Sequence, residues 1–369
     1  MGNSARLSWP EPLFLAAREG RSREPRAAFT AAGDSLRLGI SLLFSVQAVL
    51  NKITRPARLD KPCVKPGPNT CLMELPTIPA QELRDRAQGL LLGMACGETL
   101  TGTLPLTSLA LELGESLVAR GEIEPQLLLE RWTRLDPSSR PSGSSITGQA
   151  LRLYLEGFPA QGLAEATARV VPDRSGDGPL VRALPIAIAA RQDGALLKRW
   201  ANQSASVTHS DLTSRMAAVA SCLLARDLFT RGLADSLARV GQALREEAPL
   251  RLARVLRYPH RGDLPEPGDD AVAVLSQAVV ALSTSVDLDT VLEEVENQDQ
   301  TNRGTLALAG GLAGACFGIK PSSPRLAGLD SALRQRLQIL ANRLIDFEAQ
   351  PHSSPADSRG APSGSAGPD

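Results

Sequence analysis

Three observations predict an all-α protein, a single compact multi-helix domain. Leu106, Leu109, Ala110, Leu113 and Leu117 follow the i, i+3, i+4, i+7 spacing of one buried helix face. Leu326, Leu329, Leu333, Leu337, Leu340 and Leu344 repeat that spacing near the C-terminus. No run of alternating β-branched residues competes with these stripes.

In chain order, helices are predicted over residues 81–96, 107–121, 147–156, 180–190, 211–230, 233–247, 270–283 and 304–317. One last helix follows, with Ser323 as its N-cap and Pro324 at its first position. The segment GTLALAGGLAGACFG sets Gly310, Gly314 and Gly318 four apart on one face. Glycine inside a helix costs about 1 kcal/mol relative to alanine, so the repetition predicts a packing reason, the close approach of another backbone. A membrane dimerisation face is the alternative, but the segment is too short to span a bilayer.

The chain has 369 residues, with 40 Lys+Arg balanced by 40 Asp+Glu. Zero net charge argues against a nucleic-acid backbone or an anionic membrane as a main partner. Three histidines, His209, His260 and His352, leave little room for a His-based metal site. Five cysteines, none spaced as CxxC, argue against zinc ribbons and disulfide scaffolds and predict a cytoplasmic protein. The balance hides an asymmetry, because residues 1–72 hold 11 Lys+Arg against 5 Asp+Glu and the remainder is therefore acidic. The apolar run from Leu36 to Leu50 is too short and too polar for a membrane span. Glu11, Glu19 and Glu24 count against a transit peptide. Residues 1–72 are read as a disordered basic arm, or as sequence upstream of a true start at Met73. Residues 73–350 are read as the helical domain, and 351–369 as a disordered Ser/Pro/Gly-rich tail.

Four segments carry a resemblance: RAQGLLLGMACGE (86–98), SGDGPLVRALPIAIA (175–189), THSDLTSR (208–215) and ENQDQTNRGTLALAGGLAGACFG (296–318). Read in this order, with the closing RLAGLDSALRQRLQILANRL, they resemble the ADP-ribosylglycohydrolase family, all-α hydrolases that remove ADP-ribose from modified proteins. The resemblance implies metal-assisted hydrolysis, with two Mg²⁺ ions held by hard oxygen ligands. In the family a Thr-Asp-Asp triplet opens an early helix, and an Asp-x-Asp-Thr group opens the late Gly/Ala helix.

This sequence departs from that pattern at both places. Leu104, Pro105 and Leu106 stand where the triplet is expected, and Thr301, Arg303 and Gly304 occupy the late ligand positions. Asp299, two residues early, is the remaining metal candidate, while the positive charge of Arg303 opposes a divalent cation. The family's long loop before the triplet shrinks to TLTGTLPL after Glu98. Glu98 replaces the family's Asp and is the candidate catalytic carboxylate, set against a plainer reading as a solvated helix end.

The ligand-cradling wall is better preserved. Ser175, Gly176, Asp177 and Gly178 form a small-residue turn able to present backbone N–H groups to phosphate, although the Asp177 carboxylate would repel a diphosphate. Arg182 is either part of this wall or a buried partner of a neighbouring acid. His209 and Asp211 are ligand contacts, or else Asp211 caps the helix beginning at Leu212 while His209 supports the turn. His260 is read as a solvated loop residue.

The expectation is a non-catalytic relative with no resident cofactor, acting as a binding or scaffold module for ADP-ribose or a related nucleotide and an unidentified protein partner. An active Mg²⁺-dependent hydrolase drawing on Glu98, Asp173, Asp177, Asp211 and Asp299, or a purely structural descendant, are the alternatives.

Overall fold

The computed structural model describes residues 77–172, 175–259, 270–298 and 302–347. The expectations for residues 1–72, Met73 and residues 351–369, and for Asp173, His260, Asp299 and Thr301, lie outside the described residues. All described residues belong to one unit, and helices form it as predicted. The only β-type pairing among them is an isolated antiparallel bridge between Gly176 and Asp270.

Helix α1 (Ala80–Thr99) turns Ala87, Leu90, Leu91 and Met94 into the core. Helix α2 (Pro105–Arg120) starts two residues before Thr107, because proline suits a first helical position that needs no N–H. It ends at Gly121 in the left-handed region, φ 77°. Then come α3 (Pro125–Arg134), which buries Trp132, α4 (Ile146–Leu155), capped by Ser145, and α5 (Leu163–Val170). The helix predicted over 180–190 is two, α6 (Gly178–Arg182) and α7 (Leu184–Ala189). Pro185 in the first turn of α7 cannot donate to a continuing ladder.

Asp193 caps α8 (Gly194–Ser206), and Asp211 caps α9 (Leu212–Leu228). Helices α10 (Leu233–Ala243) and α11 (Leu250–Arg257) follow, then α12 (Ala271–Thr284), capped by Asp270. Helix α13 (Leu288–Glu296) opens on a reciprocal Asp287–Thr290 capping box, and Asn302 caps α14 (Arg303–Phe317). Ser323 caps the next helix as expected, but that helix, α15 (Pro324–Ala327), is a single turn. Asp330 caps a fresh one, α16 (Ser331–Ile345), so the leucine period crosses a break.

Helices α1 and α14 form the centre, with α9, α12, α13 and α16 packed around them. They run antiparallel in strict register: Gly89 faces Gly314, Gly93 faces Gly310, and Gly97 faces Leu306. A Cβ on Gly93 would fall 2.2 Å from the Gly310 carbonyl oxygen, one on Gly97 2.0 Å from that of Leu306, and one on Gly314 1.9 Å from that of Gly89. The close approach expected of Gly310 and Gly314 is therefore present, and its partner is a second glycine stripe on α1. Gly318 also stands at the close approach, its Cα 3.0 Å from where a Cβ on Gly89 would fall, and it ends α14 at φ 71°.

Replacing Gly93 with alanine is expected to lower the unfolding free energy by about 1–3 kcal/mol, outweighing a helix-propensity gain of about 1 kcal/mol. Gly241→Ala on α10 is the control, because a Cβ there meets nothing nearer than 3.8 Å and should stabilise slightly. Urea denaturation of the two variants tests the contrast.

Candidate functional site

The α1–α14 register delivers the C-terminal turn of α1 to the N-terminal turns of α14 and α2. Glu98 sits at this junction with no exposed surface. Its Oε1 accepts the Leu106 amide at 2.8 Å and its Oε2 the Thr107 amide at 2.7 Å. The solvated reading of Glu98 is thus corrected: it is a buried cap for α2. The physical reason lies in Leu104, the N-cap residue, which offers no side-chain acceptor, so the first-turn N–H groups need one from elsewhere. Burial pushes the Glu98 carboxyl above its ordinary range, opposed by hydrogen bonds from Thr107 and Leu106 and by the nearby charge of Arg303.

Arg303 opens α14 and donates from Nε to Thr101 Oγ1 at 2.9 Å. Beside it Asn302 Oδ1 accepts the Thr305 amide at 2.7 Å. Asp177 lies against the same helix end, where a Cβ on Gly304 would fall 1.9 Å from Asp177 Oδ2. Glycine at 304 is what admits that carboxylate. Leu106, Ser145, Gly176, Asp177, His209 and Arg303 are among the residues enclosing a cleft of about 200 Å³ at this junction.

The described donors do not fit a pair of divalent cations. Both Glu98 oxygens are engaged by amides, Leu104, Pro105 and Leu106 bring no side-chain oxygen, and Arg303 adds a positive charge. No group of three or more His, Cys, Asp or Glu among the described residues is arranged to hold a metal ion.

Arg182 is fully buried, but the neighbouring acid expected for it is replaced by neutral oxygens and a ring. Nη1 donates to Thr147 Oγ1 at 3.1 Å, and Nη2 to Thr208 Oγ1 at 2.8 Å and the Ser204 carbonyl at 3.1 Å. The guanidinium carbon lies 5.0 Å from the centroid of the Trp132 ring, a cation–π contact. Burial lowers its pKa to about 9, so it stays charged at neutral pH.

That charge acts on His209. The Thr208 hydroxyl accepts from Arg182 and faces His209 Nδ1 at 2.7 Å. Burial, with the Arg182 charge second, depresses the His209 pKa well below 6.5, so the ring is neutral. A Cβ on Gly176 would lie 2.7 Å from His209 Nε2, and one on Gly178 2.7 Å from Thr147 Oγ1. The two glycines thus let the wall pack on these side chains. The Ser175 carbonyl accepts the Ala271 amide at 3.2 Å, which with the Gly176–Asp270 bridge ties the wall to the start of α12. Asp211 caps α9 through the Ser214 amide at 2.7 Å.

The structure gathers Glu98, Gly176, Asp177, Gly178, His209, Arg303 and Gly304 around one junction, sets Arg182 behind His209, and leaves Ser175 and Asp211 beside a neighbouring hollow of about 440 Å³. Thr101, Thr147, Thr208, Trp132 and Asn302 were not singled out from sequence. Asn302 alone carried a readable signal, an N-cap type immediately before the late helix.

A profile of the ADP-ribosylglycohydrolase family matches residues 79–353. The chain belongs to the ADP-ribosylglycohydrolase family. ADP-ribosylarginine hydrolase Tri1 of Pseudomonas putida (strain GB-1) is 26% identical over 310 residues, covering 74% of this chain and 81% of that protein. A solved structure described as an ADP-ribosylglycohydrolase-related protein complex superposes with a TM-score of 0.56 at 23% identity, over 72% of this chain and 99% of the other, which establishes the fold. No helix among the described residues is long and apolar enough to cross a membrane. The ADP-ribosylglycohydrolase fold is thus present, with Glu98 and Arg303 at the junction of α1, α2 and α14.

Two consequences are measurable. Glu98→Ala leaves the Leu106 and Thr107 amides buried without an acceptor and should cost about 1–3 kcal/mol in urea denaturation. Glu98→Gln, which keeps one acceptor oxygen, should fall between it and the parent. For His209, the unfolded chain takes up a proton below the ordinary value of 6.5 while the native ring stays neutral. Its contribution is therefore complete above that value and is lost as the pH falls. Between about pH 7 and about pH 5 the parent should lose stability more steeply than His209→Gln.

Proposed function

We propose that this ADP-ribosylglycohydrolase-fold protein is catalytically inactive and acts as a binding or scaffold module, with ADP-ribose or a related nucleotide as its ligand class. The observation that carries the reading is the junction at Glu98. Its carboxylate is committed to capping α2 through both oxygens, and Arg303, whose charge acts on it, lines the adjoining cleft. A carboxylate that accepts two helix amides is not free to ligate a divalent cation, and a fixed positive charge alongside disfavours one.

The support for a nucleotide comes from the neutral His209 and the Gly176–Gly178 wall, which line the cleft. Ile146 and His209 also line the larger neighbouring hollow, so a ligand longer than the cleft has room to extend.

The test uses the full chain with a substrate bearing ADP-ribosylated arginine, the substrate class in the name of the relative from P. putida. No release of ADP-ribose is expected with or without millimolar Mg²⁺, together with no metal-dependent rise in Tm, since a native-state ligand must raise it. Calorimetry should detect ADP-ribose binding. Mg²⁺-dependent release would overturn the inactive reading in favour of a rearranged catalytic site, and no heat of binding would leave only a structural descendant.

A further inference from the structure

A hollow lies away from the Glu98 junction, among α10, α11, α12 and the end of α14. Its volume is about 1000 Å³, at the upper end of what ligand pockets span. Leu237, Leu256 and Leu282 form a buried floor. Phe317, 41% exposed, stands on the edge at the close of α14. Along α10 the lining residues Ala234, Ala238 and Gly241 are small and follow one helical stripe, so the groove is shallow-walled for about two turns.

The charges around this groove are one-sided. Arg245 and Arg257 line it, and no Asp or Glu does among the described residues. Neither arginine is in an ion pair among the described residues, although the Arg257 guanidinium lies 5.7 Å from the centroid of the Tyr258 ring, whereas three nearby arginines are neutralised. Arg231 holds Asp235 at 3.0 Å, Arg239 holds Asp227 at 3.0 Å, and Arg251 holds Asp270 at 3.3 Å. Carboxylates brought to Arg245 and Arg257 would form ion pairs of the same kind.

We propose that this groove docks an acidic amphipathic helix of a partner protein. Its apolar face would cover Leu237, Leu256, Leu282 and Phe317, and its carboxylates would meet Arg245 and Arg257. A helix laid into an apolar groove recognises through side chains at i, i+3, i+4 and i+7, which matches an elongated seat bordered by small residues. The site is separate from the cleft at Glu98 and stands whether or not that cleft binds or hydrolyses anything.

The test uses the full chain and two fluorescein-labelled helical peptides about three turns long, each with leucines on one face. One carries glutamates on the flanks and the other lysines in their place. Anisotropy should show the glutamate peptide binding and the lysine peptide binding at least roughly tenfold more weakly. Combining Arg245→Glu with Arg257→Glu should reverse that preference, an outcome that a misfolded variant cannot produce. Phe317→Ala should weaken the glutamate peptide without changing the order. Equal binding of the two peptides, indifference to the double reversal, or saturable binding of dodecanoate with neither peptide binding would each overturn the proposal. The last result would mark the groove as a small-molecule site.

Discussion

The contact of backbone on backbone between α1 and α14 sets the geometry of everything else. At Gly89, Gly93 and Gly97 on one helix and Gly310 and Gly314 on the other, no side chain separates the two main chains. Glycine is the poorest helix former after proline, so five in two central helices are a cost that only tight packing offsets. The contact also fixes a register that cannot slide, because a shift along the axis would drive a Leu or Met of one helix into the backbone of the other. Glu98 is thereby held level with the first turn of α14, and the α2 amides are brought to it. The site is a consequence of the packing rather than an addition to it.

The helices that sequence reading recovered are those with a long apolar stripe, such as α2 and α14, where burial of one face dominates. Helices α8 and α13 were passed over although Leu196, Leu197, Trp200 and Ala201 in one, and Leu288, Val291, Leu292 and Val295 in the other, keep the helical period, and although Asp193 and the Asp287–Thr290 box mark their starts. The C-terminal region was misjudged in the opposite direction. Leu326, Leu329 and Leu333 keep helical phase across Gly328 and Asp330, although the chain ends one helix and begins another between them. The glycine stripe on α1 was in plain view at four-residue spacing in RAQGLLLGMACGE, and reading the two stripes together would have named the pair.

Side-chain partnerships were the least legible part. Arg182 allowed two readings, a ligand-wall residue or half of a buried ion pair, since a buried guanidinium without a carboxylate is rare. Its true partners come from α4, from the end of α8 and its following turn, and from Trp132 on α3. Nothing local to Arg182 names them. Neutral oxygens and an aromatic face spread the charge over several contacts, and the leftover field falls on His209, which it helps to keep neutral. A histidine whose charge state is set by a residue in another segment cannot be assigned a role from its own motif.

The junction at Glu98 follows from one requirement, that orphan amides at a buried helix start must find acceptors. With Leu104, Pro105 and Leu106 at the start of α2, no side chain of that helix can serve, and Glu98 on α1 meets the need from across the packing interface. Committing a carboxylate there leaves a buried acid, and Arg303 supplies compensating charge. Arg303 in turn opens α14, where the positive end of the helix dipole disfavours a cation, and Asp177 against Gly304 places negative charge at that same end. The Leu106 and Thr107 amides, Glu98 and Arg303 thus satisfy one another at the buried start of α2.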